Sequence, residues 1–233
     1  MKLRWAFLLI FLVIAADQAL KIWIKVNHPI GEVTRLFGFD WARLHFIENP
    51  GMAWGMMFGG AQWGKAALTI FRLLAIIFGT WYLFKITREK YNKGFIICAA
   101  LIYAGALGNL IDSMFYGMIF DKGMLYDPVM KDYMPYYGVA KFSSHGYQGF
   151  LFGNVVDMLY FPMVRSTFPQ WMPLLGGKQF EFFSPIFNIA DASISIGVVT
   201  LLIFQKRFFR KADEEHHDAV QTDSQISDQA HVM

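Results

Sequence analysis

Two aspartates stand where a chain of this composition has least use for them. Asp157 closes Gly153-Asn154-Val155-Val156-Asp157, and Asp191 closes Phe187-Asn188-Ile189-Ala190-Asp191. A carboxylate in an apolar, membrane-like segment is expensive to hold charged, so it either faces a protein interior or does chemistry. Two neighbouring carboxyls do not both ionise cheaply, so one keeps a proton while the other is charged. The charged one can take a proton from water, and the hydroxide so formed can attack a peptide carbonyl. The protonated one can give its proton to the carbonyl oxygen, after which the roles reverse. That is the chemistry of an intramembrane aspartyl protease. The apparent pKa values of such a site belong to the pair, so spacing alone does not say which Asp starts as base.

Two further acids lie in apolar runs. Asp17 and Lys21 are four residues apart, on one helix face and in the favourable order for an ion pair, which reads as a structural pair. Asp112 closes Asn109-Leu110-Ile111-Asp112, and Asn-x-x-Asp recurs at Asn154–Asp157 and Asn188–Asp191. On a helix these positions share a face, so each Asn amide could orient its Asp or a substrate carbonyl. The small residues of Gly105-Ala106-Leu107-Gly108 also give Asp112 a packing reading.

The elements that must position these residues are membrane helices. Of the 233 residues 55% are apolar, the mean hydropathy is +0.35, and aromatics reach 18% with 24 Phe. That composition belongs to a membrane protein. The net charge of +3 gives no reason to expect nucleic acid, and the single Cys98 excludes an internal disulfide framework. Four segments have the length and apolarity to span: about 3–24, 66–84, 94–115 and 186–204. The first has a leader-like basic start, but Asp17 and Lys21 inside further apolar sequence mark it as a retained helix. Ser184-Pro185 offers an N-cap and first helical residue for the fourth.

Basic residues cluster before the first segment (Lys2, Arg4), between the second and third (Lys85, Arg88, Lys90, Lys93) and after the fourth (Lys206, Arg207, Arg210, Lys211). This puts both termini in the cytoplasm and the long connections, about 26–65 and 116–185, outside. The charges of the first connection, Lys25, Arg35, Arg43 and Lys65 against Glu32, Asp40 and Glu48, read as mixed loop charges. At 1.5 Å per residue, Asp17 lies about 20 Å beyond Arg4, Asp112 about 24 Å beyond Ile96, and Asp191 about 9 Å from the start of its helix. The acids therefore converge near the outer leaflet.

Arg43–Ile47 reads as a strand and Asn49-Pro50-Gly51 as a turn, followed by an apolar surface segment, Met52–Phe58. Phe161-Pro162, Phe168–Pro173 and Phe180–Phe183 look like interfacial anchors. Residues 118–150 lack a clear period, and 211–233 form a polar tail expected to be disordered, in which His216 and His217 are solvated rather than metal-bound. The fold expected is an all-α membrane protein, four transmembrane helices with a small extracytoplasmic β/loop region between helices 1 and 2. It forms one membrane domain over 1–210.

Taken together, the motifs resemble the lipoprotein signal peptidases, or signal peptidase II family. Asp17-Gln18-Ala19-Leu20-Lys21 is similar to the family's D-x-x-x-K, and Asn49-Pro50-Gly51-Met52-Ala53-Trp54 to its N-x-G-x-A-[FW] segment. Gly105–Asp112 is similar to its third-helix signature, and the Asp157 and Asp191 blocks to its two catalytic blocks. The resemblance covers nearly the whole chain except 118–150 and the tail. It implies that Asp157 and Asp191 are catalytic and that Asp17 and Lys21 matter structurally. It further implies that Asn49, Gly51, Asn109, Asp112, Asn154, Asn188 and Ala190 support the site or the substrate. It implies a bacterial inner-membrane enzyme, monomeric, without metal or cofactor, that cuts lipid-modified prolipoproteins before the diacylglyceryl cysteine.

Two departures stand out: Ser113 follows Asp112 where the family commonly has Arg, and 44 residues lie between Asp112 and Asp157 where its link is usually short. A proton-coupled transporter would also use intramembrane acids, but it favours more spans and an inverted repeat. A membrane adaptor leaves Asp157 and Asp191 unexplained. No G-x-S-x-G or H-E-x-x-H suggests a serine or metal protease.

Overall fold

A computed structural model of the chain describes residues 1–51, 61–162, 164–173, 176–182 and 185–208. Helix α1 spans Leu3–Asn27, α2 Ala61–Arg88 and α3 Lys93–Ile111. The third helix runs on through a π-helical turn, Asp112–Tyr116, into a short α4, Gly117–Ile119. The last helix, α5, is Ile189–Phe208. Among the described residues four helices are thus long and apolar enough to cross a membrane. Their outer faces are apolar too: Phe11 is 66% exposed, Phe71 67% and Ile203 67%. Such a belt is a poor surface for water and a good one for acyl chains.

The third helix is central. Half of its apolar window is buried, against about a fifth for α1, α2 and α5. Small residues let α5 come close. A Cβ on Gly105 would sit 2.2 Å from the Ala190 carbonyl oxygen, and one on Gly108 would sit 2.9 Å from Asp17 Oδ2. Any side chain at either position would push α1 and α5 away from α3.

Strands cap one end of this bundle. In chain order they are β1 Val33–Arg35, β2 Arg43–Asn49, β3 Leu125–Asp127, β4 Asp132–Met134, β5 Val155–Tyr160, β6 Val164–Thr167, β7 Gln179–Phe182 and β8 Ile186–Phe187. One four-stranded antiparallel sheet has the order β1-β2-β5-β8, while β3–β4 and β6–β7 are separate hairpins. The β region is therefore not confined to the connection between helices 1 and 2: half the main sheet comes from the later connection. The expected strand at Arg43–Ile47 is β2, and β6–β7 carry part of the expected aromatic anchors.

The fourth span begins later than the sequence suggested. Pro185 is not a first helical residue, because Ile186 and Phe187 pair with Tyr160 and Leu159 and hold the chain extended up to Asn188. Sheet pairing overrides the Ser184-Pro185 start signal; Ser184 itself lies outside the described residues, as do Met52–Phe58 and the tail from 209.

Two apolar clusters bracket a polar layer. One joins Ala6 and Ile10 of α1 to Leu83, Ile86, Ile96 and Ala104. The other joins Ile24 to Leu44, Phe46, Tyr116, Val156 and Met158 beneath the sheet. Asp17 and Lys21 on α1, Asn109 on α3 and Asp112 at the start of the π-helical turn fall between them. The acids are enclosed by apolar packing on both sides rather than placed in lipid.

Candidate active site

Asn188 starts α5 by capping it. Its side-chain Oδ1 accepts the Asp191 N–H at 2.8 Å and its carbonyl accepts Ala192 N–H at 3.1 Å. Asp191 reaches back with Oδ2 to the Asn188 N–H at 3.3 Å, the reciprocal arrangement of a capping box. This places the Asp191 carboxyl in the first turn, where the helix dipole favours negative charge. Its other oxygen accepts Asn109 Nδ2 at 2.8 Å.

Asp157 comes from a strand. It sits on the same face of β5 as Val155, directly across from Ile47 of β2. Its Oδ1 accepts Asn188 Nδ2 at 2.6 Å. The same amide nitrogen also lies 3.1 Å from Asn109 Oδ1 and 3.2 Å from the Val156 carbonyl. One asparagine thus touches Asp157 with its amide nitrogen and the Asp191 backbone with its amide oxygen. Asp157 is 4% exposed. Burial pushes its carboxyl up to about 8; the Asp191 charge adds to this and the Lys21 charge opposes it.

Beneath the pair lies a buried ion cluster. Lys21 Nζ is 2.9 Å from Asp17 Oδ2, 2.8 Å from Asp112 Oδ2 and 2.9 Å from Asn109 Oδ1. The expected Asp17–Lys21 pair is therefore shared with Asp112. Each acid also holds a backbone amide of another element: Asp17 Oδ1 takes Ala190 N–H at 2.9 Å, and Asp112 Oδ2 takes Val156 N–H at 3.2 Å. The cluster thereby ties α1 and α3 to α5 and β5, next to Asp191 and Asp157. Ala190 contributes a fully buried backbone link rather than a polar side chain.

The three Asn-x-x-Asp pairs do different things. The Asn109 side chain serves Asp191 and Lys21 rather than the Asp112 carboxyl. The Asn154 amide does not orient Asp157: its oxygen accepts from Lys65 Nζ, and its nitrogen donates to Glu48 Oε2 at 2.7 Å and the Met124 carbonyl at 3.0 Å. The cause is local structure: Asp157 lies in an extended strand, where positions three apart face opposite ways. Asn49 sits opposite Val155, one diagonal step from Asp157, and its Oδ1 accepts Gly51 N–H at 2.9 Å. Gly51 has φ of 94°, a conformation that favours glycine, so the expected turn is present.

Three of the charges read as mixed loop charges, Lys25, Glu48 and Lys65, turn out to be buried. Glu48 pairs with Lys25 and also accepts from Met124 N–H and Tyr136 Oη, fastening the 118–150 region onto α1 and β2. Lys25 Nζ lies over the rings of Phe120, Tyr136 and Tyr147 at 5.0–5.4 Å. The alternation of β2 carries the signal, since Leu44, Phe46 and Glu48 share its buried face.

Gln18, Tyr116 and Arg72 were not singled out from the sequence. Gln18 Nε2 donates to Asp112 Oδ1 at 2.8 Å, and Tyr116 Oη donates to Gln18 Oε1 at 3.1 Å. Arg72 of α2 donates from Nη1 to Ser113 Oγ at 3.1 Å. A lone Arg in an apolar span was the available signal.

Comparison with known proteins follows the same lines. The chain is 40% identical over 200 residues to the lipoprotein signal peptidase of Porphyromonas gingivalis, covering 85% of this chain and 81% of that one. It is 29% identical over 236 residues to that of Amoebophilus asiaticus, covering 100% and 91%. Two solved structures described as bacterial membrane enzymes share the fold. One has a TM-score of 0.51 at 24% identity over 85% of this chain and 90% of that chain; the other has 0.50 at 23% over 89% and 92%. These matches lend no support to a transporter. A family model described as signal peptidase (SPase) II matches residues 9–207, and the chain belongs to that family.

Proposed function

We propose that this protein is an intramembrane aspartic endopeptidase that removes the signal peptide from diacylglyceryl-modified prolipoproteins, cutting before the lipidated cysteine. The observation that carries the reading is Asn188, which contacts Asp157 through one end of its amide and the backbone of Asp191 through the other.

Asp157 is the proton holder in the resting enzyme, since its carboxyl is pushed up to about 8. Asp191, at the helix start, is the charged partner. Asp191 takes a proton from water, and the oxygen attacks the scissile carbonyl carbon while Asp157 gives its proton to the carbonyl oxygen. As the tetrahedral intermediate collapses, the C–N bond breaks and Asp191 returns its proton to the leaving nitrogen. The new carboxyl's proton returns to Asp157, and the pair is restored. Asn109 and Asn188 hold the two carboxyls. Lys21 with Asp17 and Asp112 fixes the elements that carry them.

The basic helix ends and the apolar outer faces support a multi-pass protein of the bacterial inner membrane. Both termini would lie in the cytoplasm and the carboxylate pair near the outer leaflet. A substrate whose signal helix and acyl chains are membrane-borne can reach that level from the side. The chain works as a monomer over 1–210, with 211–233 as a cytoplasmic tail.

The test is cleavage of a diacylglyceryl-modified prolipoprotein by purified protein in detergent, with the unmodified precursor alongside. Cleavage of the lipidated form alone is expected. Asp157→Asn and Asp191→Asn should each reduce it by about 10²–10⁴ or more. Near-parental turnover in folded variants would remove the pair from the mechanism.

A further inference from the structure

At the end of the bundle remote from the carboxylates, the start of α1, the end of α2 and the start of α3 enclose an open groove of about 1910 Å³. We propose that this groove binds the phosphate headgroup of an anionic phospholipid.

Its charge is one-sided. Lys2, Arg4, Lys85, Arg88, Lys90 and Lys93 line it, with Glu89 as the single acid among the described residues. Basic residues at a helix end are ordinary orientation signals. What is not ordinary is their enclosure around one space and the way they are held. Lys85 Nζ lies 5.4 Å from the Trp81 ring centre and the Arg4 guanidinium 5.6 Å from that of Trp5, so both cations are steered by aromatic faces. Lys90 takes a left-handed φ of 56°, which costs a side-chain-bearing residue more than glycine. In exchange the chain turns sharply there, and Lys90 and Lys93 line the same groove as α2.

The other walls are those of an amphiphile's site. Trp5, Trp81 and Phe84 are all about half exposed on the groove, as expected of rings at headgroup depth. A free phosphate has no use for them; acyl chains do. Clustered Lys and Arg between helix ends, with donors suited to phosphate oxygens, match a phosphodiester of net negative charge.

The test is titration of the full chain in detergent with phosphatidylglycerol or phosphatidylcholine, counting bound lipid by native mass spectrometry. One tight phosphatidylglycerol per chain is expected, with phosphatidylcholine at least tenfold weaker. Lys85→Gln with Arg88→Gln should weaken phosphatidylglycerol by roughly thirtyfold, from the usual contribution of two such cations. Lys206→Gln with Arg207→Gln removes two charges at the same end of the bundle but off the groove, and should change binding less than threefold. If Lys85→Gln with Arg88→Gln does not fold, Lys90→Gln with Lys93→Gln replaces it with the same expectation. Equal losses from the groove and off-groove pairs would mean diffuse attraction and overturn the proposal. So would unchanged binding in the groove variants, or displacement of the lipid by millimolar inorganic phosphate.

Discussion

Asp17 Oδ1 accepts the backbone N–H of Ala190 at 2.9 Å, joining the first helix to the first turn of the last. Ala190 precedes Asp191, so an acid on α1 sets the position of an acid on α5 without touching its carboxyl. Asp17→Ala leaves that amide without its acceptor and leaves Lys21 with Asp112 and Asn109. An unmet buried amide costs about 1–3 kcal/mol. The expected outcome is a lower thermal midpoint in detergent together with a fall in kcat. Asp17→Asn keeps an oxygen for the amide and should do less on both counts. Equal damage from the two variants would place the effect in the lost charge rather than in the cap.

The proton on Asp157 gives a pH dependence with a definite sign. Its carboxyl is raised to about 8 in the folded protein, chiefly by burial and then by Asp191. In the unfolded chain an Asp ionises near 3.9. Between about pH 4 and 8 the unfolded state therefore binds fewer protons at this position, and the contribution of Asp157 to stability falls as pH rises. Below that window the two states match; above it the penalty is constant. Asp157→Asn carries no such penalty. Its thermal midpoint should gain on the parent from pH 4 to 8 and then hold level. Cleavage by the parent should decline as pH rises through about 8, because the proton given to the carbonyl oxygen is lost. A midpoint difference that does not grow with pH would contradict the assignment of the proton to Asp157.

Much of this arrangement could be read in the sequence, and the unread part has physical causes. Apolar runs long enough to span gave four helices, and the cost of an acid in such surroundings drew attention to Asp17, Asp112, Asp157 and Asp191. Direction was the difficulty. Asn154 and Asp157 share a face on a helix and oppose each other on a strand, and the run Val155–Tyr160 is apolar enough for either. Glu48, Lys25 and Lys65 look like loop charges because their partners are far along the chain: Lys25 meets Glu48 across 23 residues, and Lys65 meets Asn154 across 89. The start of α5 was ambiguous for a related reason. Ser184 and Asn188 are both cap residues, and pairing of β8 with β5 decides between them. Arg72 was legible as an arginine in the middle of an apolar span.

Glu48 gives the 118–150 region a part to play. Besides Lys25, its carboxylate holds Met124 N–H at 2.9 Å, Asn154 Nδ2 at 2.7 Å and Tyr136 Oη at 3.1 Å. Glu48→Ala leaves the Lys25 ammonium buried without its carboxylate, a change that typically costs about 3–5 kcal/mol. Lys25→Met with Glu48→Gln removes both charges and should recover much of that loss. Hydrogen exchange is the measurement. Amides of residues 118–150 should exchange faster in Glu48→Ala, while those of α3 near Ala100 stay protected. Uniform acceleration over both would show that Glu48 supports the whole fold rather than fastening this region.

Arg72 and Ser113 adjoin the residue that holds Asp191. Ser113 follows Asp112 where the family commonly carries Arg, and the guanidinium of Arg72 reaches Ser113 Oγ from α2. Ser113 Oγ in turn donates to the Asn109 carbonyl at 3.0 Å, so the cation is set beside the residue that holds Asp191. Where the family pattern has a positive charge on the third helix, the guanidinium beside Ser113 stands on the second. Removing it should cost a charge-assisted hydrogen bond, about 1.5–3 kcal/mol, or roughly 10- to 100-fold in kcat/KM for Arg72→Gln. Arg72→Lys keeps the charge but not the planar fork and should fall between. The decisive variant moves the group: Arg72→Ser with Ser113→Arg returns the guanidinium to the third helix. Recovery of cleavage to within about tenfold of the parent would show that the cation's position matters and its helix of origin does not. A double variant no better than Arg72→Gln would mean that Arg72 acts through its packing in α2, and that the charge beside Asn109 is incidental.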